Sequence, residues 1–217
     1  MRKLILDTET TGLSKECNRI IEIGIIETID NIPTGNYFHK YINPQMKVSE
    51  ESYKICGLSN EFLLDKPFFS EIIHELNEFL SNTPIIAHNA SFDMGFLNME
   101  RGLLGLGPLS NEVIDTLKIA RKIFPGASNS LDALCKRFKV NLYKRHKHGA
   151  LLDAELLTKI YFYLLEKQSN SNTLLEEDLI IEIKQEVVNF NRDPLIHYSL
   201  EDEKKHLENI KKFNFIV

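Results

Sequence analysis

The stretch Lys3-Leu4-Ile5-Leu6-Asp7-Thr8-Glu9-Thr10-Thr11-Gly12-Leu13 sets the reading of the whole chain. Residues 3–7 are a short apolar run ending in a carboxylate, the pattern of a buried strand. Side chains alternate along a strand, so Asp7 and Glu9 fall on one face at its end. Two carboxylates held together in a partly buried place repel unless a cation neutralises them, and a divalent ion is the natural companion. The plainer alternative is a pair of solvated acids at a strand end, and on this stretch alone the two readings weigh about equally. Gly12 permits a tight backbone approach to a ligand.

Outward from this strand, residues 19–28 and 37–42 are further β-branched or aromatic runs, separated by turn chemistry at 31–36 with Pro33 and Gly35. Three strands in succession predict an antiparallel meander. From Ser70 the positions Ile72, Ile73, Leu76, Phe79 and Leu80 have helical spacing, and Pro84 parts that helix from a strand at 85–88. A helix through Phe92, Phe96 and Leu97, a strand at 113–115, and helices at 117–123, 130–138 and 149–166 follow. This order predicts an α/β fold, a mixed sheet with helices on both faces. The polar run Gln168-Ser169-Asn170-Ser171-Asn172-Thr173 reads as a linker, giving a main domain at 1–167, a linker at 168–173 and a tail at 174–217. A tail of about 45 residues with its own apolar face is too small to fold alone and is expected to pack on something else.

With 43% hydrophobic and 26% charged residues in 217, the chain has the balance of a folded soluble protein. Its net charge of −5 argues against a protein whose grip comes from neutralising phosphates. The charge is unevenly placed, however: residues 118–148 carry nine Lys or Arg against Asp132 alone. Cys17, Cys56 and Cys135 lack disulfide or zinc-ribbon spacing and fit reduced thiols in a cytoplasm. The N-terminal apolar run is too short for a signal segment and no later run approaches a membrane span, so the expectation is a protein neither exported nor embedded.

Two further constellations carry chemistry. His88-Asn89-Ala90-Ser91-Phe92-Asp93 follows a strand and opens a helix, where open α/β sheets gather ligand sites. Asp93 is a candidate third carboxylate, or simply an acid favoured at a helix N-terminus. Asp115 has the same local look and reads as a helix cap. His148-Gly149-Ala150-Leu151-Leu152-Asp153 places a histidine on a loop and a carboxylate in the first turn or so of a long helix. A loop histidine can swing over a site that Asp153 faces, and it is the side chain best suited to take a proton near neutrality. A zinc cluster of His146, His148 and Asp153 is the other option, without the remaining ligands at a recognisable spacing.

In combination, Asp-x-Glu with Thr-Thr-Gly-Leu, His-Asn-Ala-x-Phe-Asp and His-x-x-x-x-Asp resemble the DEDDh group of 3′→5′ exonucleases. Within that group the likeness is to the epsilon-type proofreading subunits of bacterial DNA polymerase III. The blocks Ile20-Ile21-Glu22-Ile23-Gly24, Asn60 through Pro67, Ala120 through Gly126 and Asn129 through Cys135 extend it over residues 3 to about 166. The resemblance implies a ribonuclease-H-like sheet and proofreading by two-metal hydrolysis, with release of 5′-monophosphates from a frayed or single-stranded 3′ DNA end. Carried over by position, Asp7, Glu9, Asp93 and Asp153 hold two Mg²⁺ or Mn²⁺ ions and His148 is the general base. Thr11, Gly12 and Leu13 hold the terminal nucleotide, Glu51 touches that nucleotide or the attacking water, Ile55 is an apolar wedge and Asn89 steadies the loop near Asp93. Cys56 departs from the pattern, since a histidine is usual there, which removes one polar contact and implies weaker substrate binding.

The resemblance also gives the tail content. Residues 198–212 look like the part that docks on the polymerase catalytic (alpha) subunit, and a theta-type accessory subunit is a further candidate partner. The stretch from Gln168 to Leu174 lacks the apolar anchors of a clamp-binding peptide, so a sliding clamp is weakly supported. The alternatives are an RNA exonuclease of the oligoribonuclease or tRNA-trimming kind, and a non-catalytic polymerase scaffold.

Overall fold

The N-terminal apolar run forms β1 (Arg2–Thr10), the middle strand of a computed structural model that describes residues 1–141 and 147–172. β1 pairs antiparallel with β2 (Ile20–Ile29), and β2 with β3 (Ile32–Tyr41). On its other side β1 runs parallel to β4 (Ile85–Ala87), and β4 to β5 (Val113–Asp115), giving the order β3-β2-β1-β4-β5. The mixed sheet is thus the expected meander followed by strand–helix alternation. The first turn sits elsewhere than expected. Asp30 and Asn31, with φ of 53° and 66°, make a two-residue hairpin loop of the mirror-image type that matches strand twist. Residues 32–36 therefore belong to β3, where Pro33 and Gly35 are tolerated because β3 is an edge strand with a register shift opposite Ile26–Thr28.

Two short helices, α1 (Glu50–Cys56) and α2 (Asn60–Leu63), follow the meander. The sequence reading did not place them. Ser49 and Ser59 cap them through Oγ, and Gly57 closes α1 at φ 77° by donating to Tyr53 O. Next come α3 (Phe69–Leu80), α4 (Ala90–Leu103), α5 (Thr116–Ile123), α6 (Leu131–Arg137) and α7 (Ala150–Asn172).

The two faces of β1 are covered differently. Leu4 and Leu6 join Ile23 and Ile25 in a core with Phe69, Ile72, Leu76 and Leu80 of α3 and Phe96 and Leu97 of α4. Each such fully buried side chain contributes about 1.5–3 kcal/mol. The odd-numbered face takes α7, where Lys3 Nζ lies over the Tyr161 ring. Gly24 lets α7 come this close, since a Cβ there would stand 2.3 Å from Ala150 C and Leu151 N. α5 and α6 pack on α7, with Phe138 stacked on Tyr163 at 5.1 Å.

α7 runs on through 168–172, so most of the segment read as a linker is helical, with Ser169 Oγ donating to Leu165 O as a helical i−4 contact. The tail at 174–217, including 198–212, lies outside the described residues. Among the described residues no helix is long and apolar enough to cross a membrane.

Candidate active site

The sheet register sets the site. Asp7 stands opposite Gly24 and Glu9 opposite Glu22, so both acids and both partners share the face that α7 covers. Asp93 arrives in the first turn of α4 and is buried, its Oδ1 accepting from Thr8 Oγ1 at 2.7 Å. Asp153 arrives in the first turn of α7, also buried, its amide donating to Gly149 O at 2.8 Å. The four predicted carboxylates thus converge. Burial pushes the Asp7 carboxyl well above the usual range, and Asp93, Asp153, Glu9 and Glu22 push it further in that order. Burial likewise raises Asp93 to about 7, partly opposed by its hydrogen bond from Thr8.

Such proton affinity measures negative charge that the fold leaves to be neutralised. Ligand atoms of Glu9, His148 and Asp153 lie within 4.8 Å of one another. A set dominated by carboxylate oxygens suits a hard divalent cation, so the residues fit a divalent metal. Of the zinc alternative, His146 lies outside the described residues; among those described, the third group beside His148 and Asp153 is Glu9.

His148 occupies the loop before α7. Its amide donates to Ile55 O at 3.1 Å and its Nδ1 stands within hydrogen-bond distance of Asp153 Oδ2, at 3.1 Å, so the five-residue spacing does bring ring and carboxylate together. The side chain is 43% exposed and open to an incoming water.

The residues expected at the nucleotide divide into two groups. Leu13 is 84% exposed and Ile55 48%, apolar surface available to a base, and Glu51 is exposed in the first turn of α1. Thr11 is fully buried: its N–H donates to Arg19 O, its carbonyl accepts from Ser49 N, and its hydroxyl serves Asn18 and the Arg19 amide. Its backbone is occupied inside the fold. The close approach at Gly12 is made by Asn18, whose Oδ1 would lie 2.6 Å from a Cβ, and the Gly12 carbonyl accepts from Thr10 Oγ1. Cys56 is buried with Ile21, Leu58 and Leu63, where burial raises its thiol pKa and keeps it neutral. Asn89 takes a left-handed conformation, φ 64°, and donates its backbone N–H to Asp115 Oδ1 at 3.1 Å. Asp115 also accepts from Leu117 N and caps α5.

Sequence reasoning gave no role to Glu22, Gly24 or Thr8. Glu22 is buried beside Glu9 and held by His39 Nε2 at 2.8 Å. The signal for it was an acid flanked on both sides by isoleucines within β2. Of the basic strip, Lys118, Arg121 and Lys122 are exposed at i, i+3 and i+4 along α5, a common helical face. Arg137 is used internally, over the Phe124 ring at 4.3 Å and donating to Ser128 O and Asn129 Oδ1. Lys147 Nζ donates to Lys54 O, while Lys144 and Arg145 lie outside the described residues.

Comparison with known proteins points the same way. The exonuclease family (RNase_T) matches residues 4–161. DNA polymerase III subunit epsilon of Rickettsia typhi is 43% identical over 227 residues, covering 98% of this chain and 96% of that one. The Salmonella typhimurium subunit of the same name is 43% identical over 184 residues, 81% of this chain and 76% of that one. Among solved structures, exonuclease X in complex with 5′ overhanging duplex DNA superposes with a TM-score of 0.62 at 28% identity, covering 76% of this chain and 92% of that one. The nuclease domain of 3′hExo, a DEDDh family member bound to rAMP, shares the fold with a TM-score of 0.65 at 17% identity, covering 76% of this chain and 92% of that one.

Proposed function

We propose a function from one premise: this chain belongs to the exonuclease family, and within it to the epsilon subunits of DNA polymerase III. It is a metal-dependent 3′→5′ exonuclease that proofreads for a replicative polymerase. The observation that carries this reading is the convergence of Asp7, Glu9, Asp93 and Asp153 on one another, with His148 bonded to Asp153 at their margin.

In the finer reading, Asp7, Glu9, Asp93 and Asp153 hold two Mg²⁺ or Mn²⁺ ions. Bound there, such ions lower the pKa of the attacking water and screen the charge that grows on the leaving 3′ oxygen. The protein's own part is positional. Leu13 and Ile55 offer apolar surface to the terminal base, and Glu51 reaches the terminal nucleotide or the water. His148 removes the water's proton, and its bond to Asp153 fixes the ring's orientation and stabilises the imidazolium that results. The Lys118, Arg121 and Lys122 face meets phosphates of the strand leading into the site. The tail docks on the polymerase alpha subunit, a theta-type subunit is a further partner, and the protein works in the cytoplasm.

Purified protein with Mg²⁺ should shorten single-stranded DNA from its 3′ end and release 5′-monophosphates, and Asp7→Ala should abolish this. Full activity in that variant would sink the site assignment. Faster turnover of oligoribonucleotides than of DNA would move the reading to an RNA exonuclease. Loss of polymerase co-purification on removing 174–217 would support the tail's role, and retention would refute it.

A further inference from the structure

The buried face of α4 carries two acids, seven residues apart. Asp93 enters the metal site, whereas Glu100, 1% exposed, has no place in the chemistry. Two helical turns separate them, about 10 Å along the axis. Glu100 accepts from Arg19 Nε at 2.7 Å, from Arg19 Nη2 at 2.6 Å and from Ile20 N at 3.2 Å. This is a two-pronged guanidinium–carboxylate pair, the geometry in which charge-assisted bonds are strongest and most directional.

Arg19 closes a loop. Its carbonyl accepts from Thr11 N at 2.9 Å and its amide donates to Thr11 Oγ1 at 3.0 Å, joining the two ends of residues 11–19. Within that loop Asn18 Nδ2 donates to Ser14 O at 2.9 Å, Cys17 N donates to the same carbonyl at 3.1 Å, and Gly12 lies under the Asn18 side chain. The loop meets α4 a second time, where the Lys15 side chain lies over Gly95, its Cδ 3.3 Å from the position of a Cβ. Leu13 projects from the tip. The loop is therefore cross-bonded internally and strapped to the helix that supplies Asp93.

We propose that Arg19 and Glu100 are positioning residues for substrate: they fix the Leu13 tip relative to Asp93, so that the terminal base and the scissile phosphate are held at a set distance. This rests on the nucleotide-site reading of Leu13. The pair touches neither base nor metal ligand, so its effect falls on binding of the strand more than on the chemical step.

The test is steady-state kinetics on single-stranded DNA with the full chain and Mg²⁺, beside thermal melting. Glu100→Gln should raise KM about tenfold with kcat within about twofold of the parent. Arg19→Lys keeps the charge but not the fork and should raise KM similarly; full rescue by lysine would overturn the proposal, and this variant serves if Glu100→Gln fails to fold. Leu13→Ser should raise KM, and adding Glu100→Gln to it should raise KM by much less than a further tenfold, because both act through one contact. A full additional tenfold, an unchanged KM in Glu100→Gln, or a loss confined to kcat would overturn the positioning role while leaving the nucleotide site intact. An unchanged KM in Leu13→Ser would instead remove the nucleotide-site reading at Leu13, and the proposal with it.

Discussion

Replacing Gly24 by alanine adds one methyl group at the point where α7 meets the sheet. That methyl would lie 2.3 Å from Ala150 C and Leu151 N and 2.5 Å from Leu151 Cα, all backbone atoms, whereas ordinary contact begins at 3.4 Å. The first turn of α7 must therefore retreat by about 1 Å, because a close-packed interior offers no slack. Asp153 rides on that turn and His148 is bonded to it. Misplacing reacting groups by about 1 Å costs on the order of 10²-fold in rate, or about 2.7 kcal/mol of transition-state stabilisation. Overpacking costs about 1–3 kcal/mol of stability, offset by about 0.5–1 kcal/mol for removing glycine from a strand. The net cost of about 0–2.5 kcal/mol lowers the midpoint by at most about 10 °C, at about 2–4 °C per kcal/mol for a domain of this size. Kinetics should reveal the change before melting does. The assay is kcat/KM on a 5′-labelled oligonucleotide at a temperature where the variant is fully folded. A value within threefold of the parent would refute the claim that the α7–Gly24 contact sets Asp153.

The raised carboxyls of Asp7 and Asp93 bind protons more tightly in the folded than in the unfolded chain, so metal-free protein should lose stability as pH climbs from about 4 through 7. Melting in chelator at pH 5 and 8 should show this loss, Mg²⁺ should reverse it, and Asp7→Asn should diminish both; equal midpoints at the two pH values would count against it. His148→Gln should lower kcat by about 10²–10⁴-fold with little change in melting, since the ring is half-exposed and glutamine can keep a hydrogen bond to Asp153. A variant with Lys118, Arg121 and Lys122 all changed to alanine should flatten the dependence of log KM on log salt by about two units; an unchanged slope would remove that face from the DNA path.

The core strands were legible because β-branched runs bounded by Asn, Gly and Pro admit few other readings, and the catalytic acids because each ends a strand or opens a helix. What escaped has a physical reason in each case. α1 buries only Ser52 and Cys56, so it has no apolar stripe to read. Thr11, Gly12 and Leu13 read as a nucleotide-holding loop, but the bonds that tie Thr11 to Asn18, Arg19 and Ser49 come from tertiary contacts that spacing does not encode. Glu22 and Gly24 gain meaning only through the β1–β2 register, which sets them opposite Glu9 and Asp7. The polar composition of 168–172 resembles a linker, but α7 is already propagating when it reaches those residues, and extension needs far less than nucleation.

α7 contributes the last carboxylate and seats the base, although β1 supplies the first two acids near the N-terminus. A nascent chain that has emerged through α6 can pair its sheet and close its larger core, yet it holds only three of the four acids and no histidine beside them. Among the described residues the site is thus complete only once α7 has docked, so a partly made chain lacks both the fourth carboxylate and His148.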